Sequence, residues 1–335
     1  MAIAIGHNLL QSNVSLSAII ISALCLIGYG ISFFVPMDYL TMTLPISVLA
    51  ASITTFFMSM HFHFRQLFIY GYTLAWGIRL LVHLIRRAVA DKSDRRLDPI
   101  RNNFLLRGLT FLGMILLAFS FTLPTAMVSA IKPSFLQGWT VRDILGIVFW
   151  VAGFVMEIVA DVHLFSFRHK SENAGKICRS GLWAHHRHPN YIGEVLQWWG
   201  IFLLSTPAIL GVEWLLVIAP IFSTICLLFV SGIPPAEWAL NQEFGNTAEY
   251  EDYKADSGMF IPWFKSKKEM SEPAAPPSDS GTSNQPVTQP SPTASAPHDT
   301  NTMNEEYQER QRKIQQRNSD MQQAAPNPAA GITSD

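Results

Sequence analysis

Gly181-Leu182-Trp183-Ala184-His185-His186-Arg187-His188-Pro189-Asn190-Tyr191-Ile192-Gly193-Glu194-Val195-Leu196-Gln197-Trp198-Trp199-Gly200 passes without a break from a basic, His-rich loop into an apolar segment that carries a carboxylate. An apolar helix that begins beside so many cationic groups belongs at a membrane edge, and a Glu two turns inside it needs a structural or chemical cause.

The rest of the chain agrees with that placement. Of 335 residues, 49% are hydrophobic, 12% aromatic and only 15% charged, and the mean hydropathy is +0.21 despite a polar tail. A helix needs about 20 apolar residues to cross a bilayer core. Segments of that kind are expected near residues 14–35, 39–60, 64–85, 107–130, 143–165, 191–206 and 211–232. The fold class expected is therefore all-α, a polytopic transmembrane helical bundle of about seven spans within residues 1–265. The sixth and seventh segments could also form a tight hairpin that does not fully span, since only Ser205 to Gly211 separates them.

The first apolar segment lacks a basic start and a small-residue cleavage site, so it reads as a retained anchor. Basic residues set the orientation. Arg86, Arg87, Lys92, Arg95, Arg96 and Arg101 follow the third segment, and Arg168, Lys170, Lys176, Arg179 and Arg187 follow the fifth. Both connections are expected in the cytoplasm, which puts the C-terminus there as well. Residues 266–335 are rich in Pro, Ser, Thr and Ala and are expected to be a disordered cytoplasmic tail, with a polar helix near 303–322. Cys25, Cys178 and Cys226 have neither disulfide nor metal-ligand spacing.

Ionisable groups inside the apolar segments are the chemical signal. Arg79 and His83, Glu157 and Asp161, and Asn190 and Glu194 are each spaced by four, which puts each pair on one helical face. Gln197 follows on the next turn, and Glu237 follows the last segment. The set can converge on one polar pocket, flanked by arginines and lysines that suit phosphate oxygens. The structural alternative is a group of buried pairs, for example Arg79 with Glu157. His185, His186 and His188 lie too close together in a loop to converge on a metal, so none is expected. The chain has no Gly-x-Gly-x-x-Gly, P-loop or Gly-x-Ser-x-Gly motif, which excludes the soluble nucleotide-binding folds that use them.

Asp161, Gly181-Leu182-Trp183, Arg187-His188-Pro189-Asn190-Tyr191, Gly193-Glu194, Trp198-Trp199-Gly200, Ser231-Gly232-Ile233-Pro234, Glu237 and Ile261-Pro262 occur in order between Asp143 and Phe264. This stretch resembles the C-terminal domain of the steroid 5-alpha-reductase superfamily, and most closely its DUF1295 branch. The resemblance extends weakly upstream through Trp76, Arg79, Arg87, Asp94 and Arg95. It implies an integral-membrane enzyme that binds NADPH from the cytoplasm without a Rossmann domain and reduces a carbon–carbon double bond of a lipid. The cofactor-binding residues it implies are Arg79, Asp161, Arg168, Arg187, Asn190, Tyr191 and Glu194. Trp76 stands where the steroid enzymes have a proton-donating Tyr, and an indole is no acid. The proton would then come from His83, Tyr70 or Tyr72. Glu237 stands near where those enzymes place an Arg or His.

Two other functions suit the residues. Glu243-Phe244-Gly245 and Tyr250 to Tyr253 resemble the ending of isoprenylcysteine carboxyl methyltransferases, where S-adenosylmethionine would replace NADPH. A non-catalytic scaffold with a recruiting tail is the other. The expected partners are a lipid substrate and the membrane, with no nucleic acid. The endoplasmic reticulum would suit a eukaryotic protein and the inner membrane a bacterial one.

Overall fold

The computed structural model describes residues 7–91, 94–136, 138–208, 212–245 and 247–259. The chain divides into two units, Met1–Lys268 and Glu269–Asp335, and the described residues all lie in the first. The expected tail at 266–335 lies outside the described residues.

The described residues are almost wholly helical: α1 (His7–Ile31), α2 (Met37–Leu40), α3 (Thr43–Ser59), α4 (Phe64–Ala90), α5 (Asp98–Arg101), α6 (Phe104–Ser129), α7 (Val141–Arg168), α8 (Pro189–Ser205), α9 (Ile218–Phe229), α10 (Ile233–Phe244) and α11 (Ala248–Asp256). Six stretches are long and apolar enough to cross a membrane, namely Leu9–Ile31, Met37–Ser59, Phe64–Ala90, Phe104–Ser129, Val141–Arg168 and Trp214–Phe244. The protein is a multi-pass membrane protein built as a helical bundle. The sixth expected span is α8, whose 17 residues leave it outside that set. At about 1.5 Å per residue it is roughly 26 Å long, short of the bilayer core of about 30 Å.

Local chemistry fixes where the long helices start. His63 and Gln66 form a reciprocal capping box on α4, and Thr140 and Asp143 form one on α7. α1 begins well before residue 14 because its polar residues have partners inside the bundle. Asn13 donates from Nδ2 to Ser59 Oγ and Ser129 Oγ, each at 3.1 Å, and is fully buried.

Two helix pairs shape the interior. α4 and α7 carry side chains that meet at a constant offset of 78 residues: Arg65 with Asp143, Tyr72 stacked on Trp150, Arg79 with Glu157, and His83 with Asp161. A constant offset means parallel helices in register, and the first three rungs are seven residues apart on both helices, the spacing of a coiled-coil seam. The outermost rung is a fully buried ion pair, with Arg65 Nε and Nη2 donating to the two Asp143 oxygens at 2.8 and 2.9 Å.

α7 and α8 pack antiparallel through glycines. A Cβ on Gly146 would lie 2.7 Å from the Gly200 carbonyl, and one on Gly193 would lie 2.6 Å from the Gly153 carbonyl. Small residues at such crossings let helix backbones touch, a main route to helix association in lipid. The crossing sets Glu157 of α7 beside the first turns of α8.

Both ends of the bundle are tied by ions, but the basic end more extensively. Asp94 accepts from Arg87 and Arg96, while Asp38 accepts from Arg101 and from the Asp94 backbone N–H. Arg96 also reaches the Tyr191 hydroxyl at 3.2 Å, fastening the start of α8. Burial opposes charge on Asp94, but Arg96, through charge and hydrogen bonds, and Arg87 outweigh it and hold the carboxyl well below the usual carboxylate range. A carboxyl depressed by folding adds stability above its unfolded pKa of about 3.9, and that stability is lost as pH falls through the lower folded value. The melting temperatures of the parent and Asp94→Asn should therefore differ by a constant amount above about pH 4 and converge below it. A gap that widens on acidification would show that this network does not hold Asp94 ionised.

Candidate functional site

At the centre of the α4–α7 seam, Arg79 grips α7 with both ends of its guanidinium. Nη1 donates to Glu157 Oε1 at 2.5 Å, and Nη2 donates to the Glu157 backbone carbonyl at 3.1 Å and to Asp161 Oδ2. The four-residue spacing read in the sequence puts Glu157 and Asp161 on the face that meets this fork. Across the glycine crossing, Gln197 Nε2 donates to the second Glu157 oxygen at 2.6 Å. His83, one turn beyond Arg79, brings Nε2 to 3.7 Å from Asp161 Oδ2. Glu194, on the preceding turn of α8 from Gln197, lies within the field of the Arg79 charge.

One guanidinium thus faces three carboxyl groups. Two buried acceptors on α8 have no hydrogen-bond partner, Gln197 Oε1 beside the cluster and Asn190 Oδ1 one turn before Glu194. Buried polar atoms are rarely left unpaired, so these two mark where a donor belongs. Beyond this layer, toward the other end, the bundle is closed by rings. Trp198 stacks on Phe121 at 3.7 Å, with the fully buried Trp76 edge-on to both.

The structure brings Arg79, His83, Asp161 and Glu194 to this one place, with Glu157 and Gln197 among them, and Asn190 lies one turn before Glu194 on α8. The remaining candidates lie elsewhere. Tyr72 is stacked flat on Trp150 with centroids 4.0 Å apart, two turns or about 10 Å along α4 from Arg79. Tyr70 is about 13 Å from Arg79 along the helix and on its opposite face, among the hydroxyls of Thr55, Ser59 and Ser129. Tyr191 is engaged by Arg96. Arg168 is exposed at the end of α7.

Arg187 has a structural place. Its Nε donates to Glu237 Oε1 at 3.0 Å, and Nη1 donates to the carbonyls of Lys254 and Ser257. His188 Nε2 lies 2.6 Å from the same Glu237 oxygen, and the Tyr250 hydroxyl donates to the other at 3.2 Å. Burial and the Glu237 charge push the Tyr250 hydroxyl well above its ordinary pKa, so it stays a donor. Arg187 therefore ties α10 and α11 to the His-rich loop. Glu237, which departs from the resemblance at its position, is the hub of this lock. Among the described residues no group of three His, Cys, Asp or Glu side chains is arranged to hold a metal ion.

Residues 35–257 match the family model described as "Protein of unknown function (DUF1295)". The chain is 30% identical over 118 residues to the mouse (Mus musculus) protein "3-oxo-5-alpha-steroid 4-dehydrogenase 1", a match that takes in 35% of this chain and 41% of that protein. The proteins of the same name from Bos taurus and Homo sapiens are 29% and 26% identical over 122 residues, 36% of this chain and 42% of each. The chain thus spans about two-fifths of the length of these relatives. No solved structure matches it. With two-thirds of its length inside the family model, the chain belongs to the DUF1295 family, within the steroid 5-alpha-reductase superfamily.

Proposed function

We propose that the protein is an integral-membrane reductase that saturates a carbon–carbon double bond of a lipid with NADPH as reductant. The observation that carries this reading is the cluster of Arg79, Glu157, Asp161, Glu194 and Gln197 inside the bundle, with two unpartnered acceptors on α8. The relatives' printed names, which specify dehydrogenases of a 3-oxo steroid, support the reaction class.

The residues present fit the cofactor. Asn190 Oδ1 and Gln197 Oε1 are acceptors in search of N–H donors, and a carboxamide offers two. Arg168, exposed at the end of α7, is placed to meet phosphate oxygens. Reduced nicotinamide supplies a hydride and becomes positive in doing so. A site with more carboxyl groups than guanidiniums favours a charge of that sign as it develops, which is how preorganised electrostatics lower a barrier.

The same sign argues against methyl transfer. A sulfonium donor loses its positive charge in the reaction, so surrounding carboxylates would stabilise the starting state more than the transition state. Both functions are separable by a thermal-shift measurement on the detergent-purified full chain, because a ligand that binds only the folded state stabilises it by mass action. NADPH at about 100 times its Kd should add about 2.7 kcal/mol. Asn190→Ala should lose most of that gain at the same concentration. Stabilisation by S-adenosylmethionine and not by NADPH would overturn the proposal, and stabilisation by neither, with activity residing in the tail, would favour a scaffold.

A further inference from the structure

Among the described residues, every buried or half-buried arginine except Arg107 is paired with a carboxylate, from Arg65 with Asp143 at one end of the bundle to Arg187 with Glu237 at the other. Arg107 lies in the first turn of α6 and has only neutral partners. Its Nη1 donates to the Ser32 carbonyl at 2.8 Å and its Nη2 to the Arg101 carbonyl. The guanidinium lies over the Phe33 ring, 5.0 Å from the centroid, and its Nε has no hydrogen-bond partner. Asp38 and Asp98, the carboxylates of the adjoining segments, are both taken by Arg101. A guanidinium has five N–H groups, so Arg107 keeps donors to spare.

Helix ends do not supply the missing charge. The carbonyls at the end of α1 carry about half a negative charge, but α6 begins beside them with a partial positive charge of about the same size. The two offset each other, and the unit charge of Arg107 remains. Its depth makes that costly. The apolar stretches Leu9–Ile31 and Phe104–Ser129 both end at this corner, and Arg107 stands three residues, about 4.5 Å along the helix, inside the second. A cation at that depth reaches for the interface, where the lipid phosphates lie.

Apolar surface adjoins the cation. Tyr29, Phe33 and Phe104 form a cluster of rings with centroids 5.4 to 6.2 Å apart, and Phe34 and Phe104 are 89% and 69% exposed. We propose that the corner between α1 and α6 is a binding site for an anionic phospholipid of the leaflet at the basic end. The lipid phosphate accepts from the unused N–H groups of Arg107, and its upper chain carbons lie on Phe33, Phe34 and Phe104. A zwitterionic headgroup balances its phosphate with its own ammonium, whereas an anionic one leaves the phosphate charge for Arg107. The bound lipid would tie the end of α1 to the start of α6 where Arg107 already joins Ser32 to Arg101. None of this depends on the reaction proposed above.

Native mass spectrometry of the detergent-purified full chain tests the site, with dioleoyl phosphatidylglycerol, dioleoyl phosphatidylcholine and inorganic phosphate as parallel probes. The parent should retain one phosphatidylglycerol about fivefold more tightly than phosphatidylcholine, the selectivity that one arginine near the surface provides. Arg107→Gln should weaken phosphatidylglycerol about tenfold, the loss of one charge-assisted hydrogen bond. Phe104→Ala removes an exposed ring and no charge, so it leaves the fold in place and should also weaken the lipid. Arg142→Gln, at an exposed arginine in the first turn of α7, should bind as the parent does. Equal retention of the two lipids by the parent, displacement of phosphatidylglycerol by inorganic phosphate, or a loss in Arg142→Gln as large as in Arg107→Gln would overturn the proposal. So would parental binding by Arg107→Gln, or by Phe104→Ala if Arg107→Gln does not fold.

Discussion

Arg79→Leu is expected to destabilise the bundle by about 3–5 kcal/mol, the cost typical of removing one partner from a buried ion pair and leaving its counter-charge behind. Here two counter-charges are left. The Glu157 and Asp161 side chains are 4% and 7% exposed, and among the described residues no other guanidinium is paired with them. For a unit of this size such a loss corresponds to a fall of roughly 10 °C in melting temperature. Arg79→Lys should recover only part of it. An ammonium on a flexible stem can meet one carboxylate, but the planar fork of Arg79 serves Glu157 Oε1, the Glu157 backbone carbonyl and Asp161 together.

A triple substitution separates charge from packing. If the loss comes from unpaired carboxylates, Arg79→Leu combined with Glu157→Gln and Asp161→Asn should regain most of it, because removing a buried ionic group as a set is often close to neutral. Melting in detergent reads all three proteins. A single Arg79→Leu variant within about 1 kcal/mol of the parent would mean that water or lipid headgroups already screen the cluster.

The i, i+4 pairs in the apolar segments were legible because their spacing is local. Arg79 with His83 and Glu157 with Asp161 could be placed on single faces, and Arg79 with Glu157 could be named as a buried pair. The ladder that joins them was not legible. Its rungs need the register between two helices 78 residues apart, and Arg65 with Asp143 carries the same offset with nothing local to mark it. The α7–α8 crossing escaped for a related reason. Gly146, Gly153, Gly193 and Gly200 count as unremarkable small residues until the two helices are seen to use them against each other.

Charge also left its partner unseen where that partner was remote. Arg187 stands in a basic loop and suggests a phosphate ligand, but Glu237, fifty positions later, holds it against α10. Glu237 itself was read as one of the polar groups that could share a pocket and as a departure from a family pattern, and its role as a hub became visible when His188, Arg187 and Tyr250 were found on its two oxygens. α1 was expected to start at residue 14 because hydropathy penalises Gln11 and Asn13. The helix starts earlier because Asn13 finds hydroxyl partners on α3 and α6, a compensation that no average over one segment can register.

Gly193→Leu is expected to have an effect as large as any single substitution in the chain and to abolish NADPH stabilisation with it. A Cβ at position 193 would lie 2.6 Å from the Gly153 carbonyl oxygen, 2.8 Å from the Glu157 backbone nitrogen and 3.0 Å from Glu157 Cβ. The first two are backbone atoms of a regular helix, so no rotamer change can make room, and a leucine adds three further carbons. α8 must move away from α7. Overpacking a core costs about 1–3 kcal/mol where side chains can shift, and the cost here should reach or exceed the top of that range. The displacement also pulls Gln197 off Glu157 and carries Glu194 away from Arg79. Gly30→Leu is the matched control, because a Cβ there meets nothing within 4 Å. Melting with and without NADPH should leave the Gly30 variant close to the parent. The Gly193 variant should melt far lower and show no response to the cofactor. If Gly193→Leu instead kept the parent's response to NADPH, the site would not depend on the contact between these two backbones, and the carboxamide cradle could not lie where α7 and α8 cross.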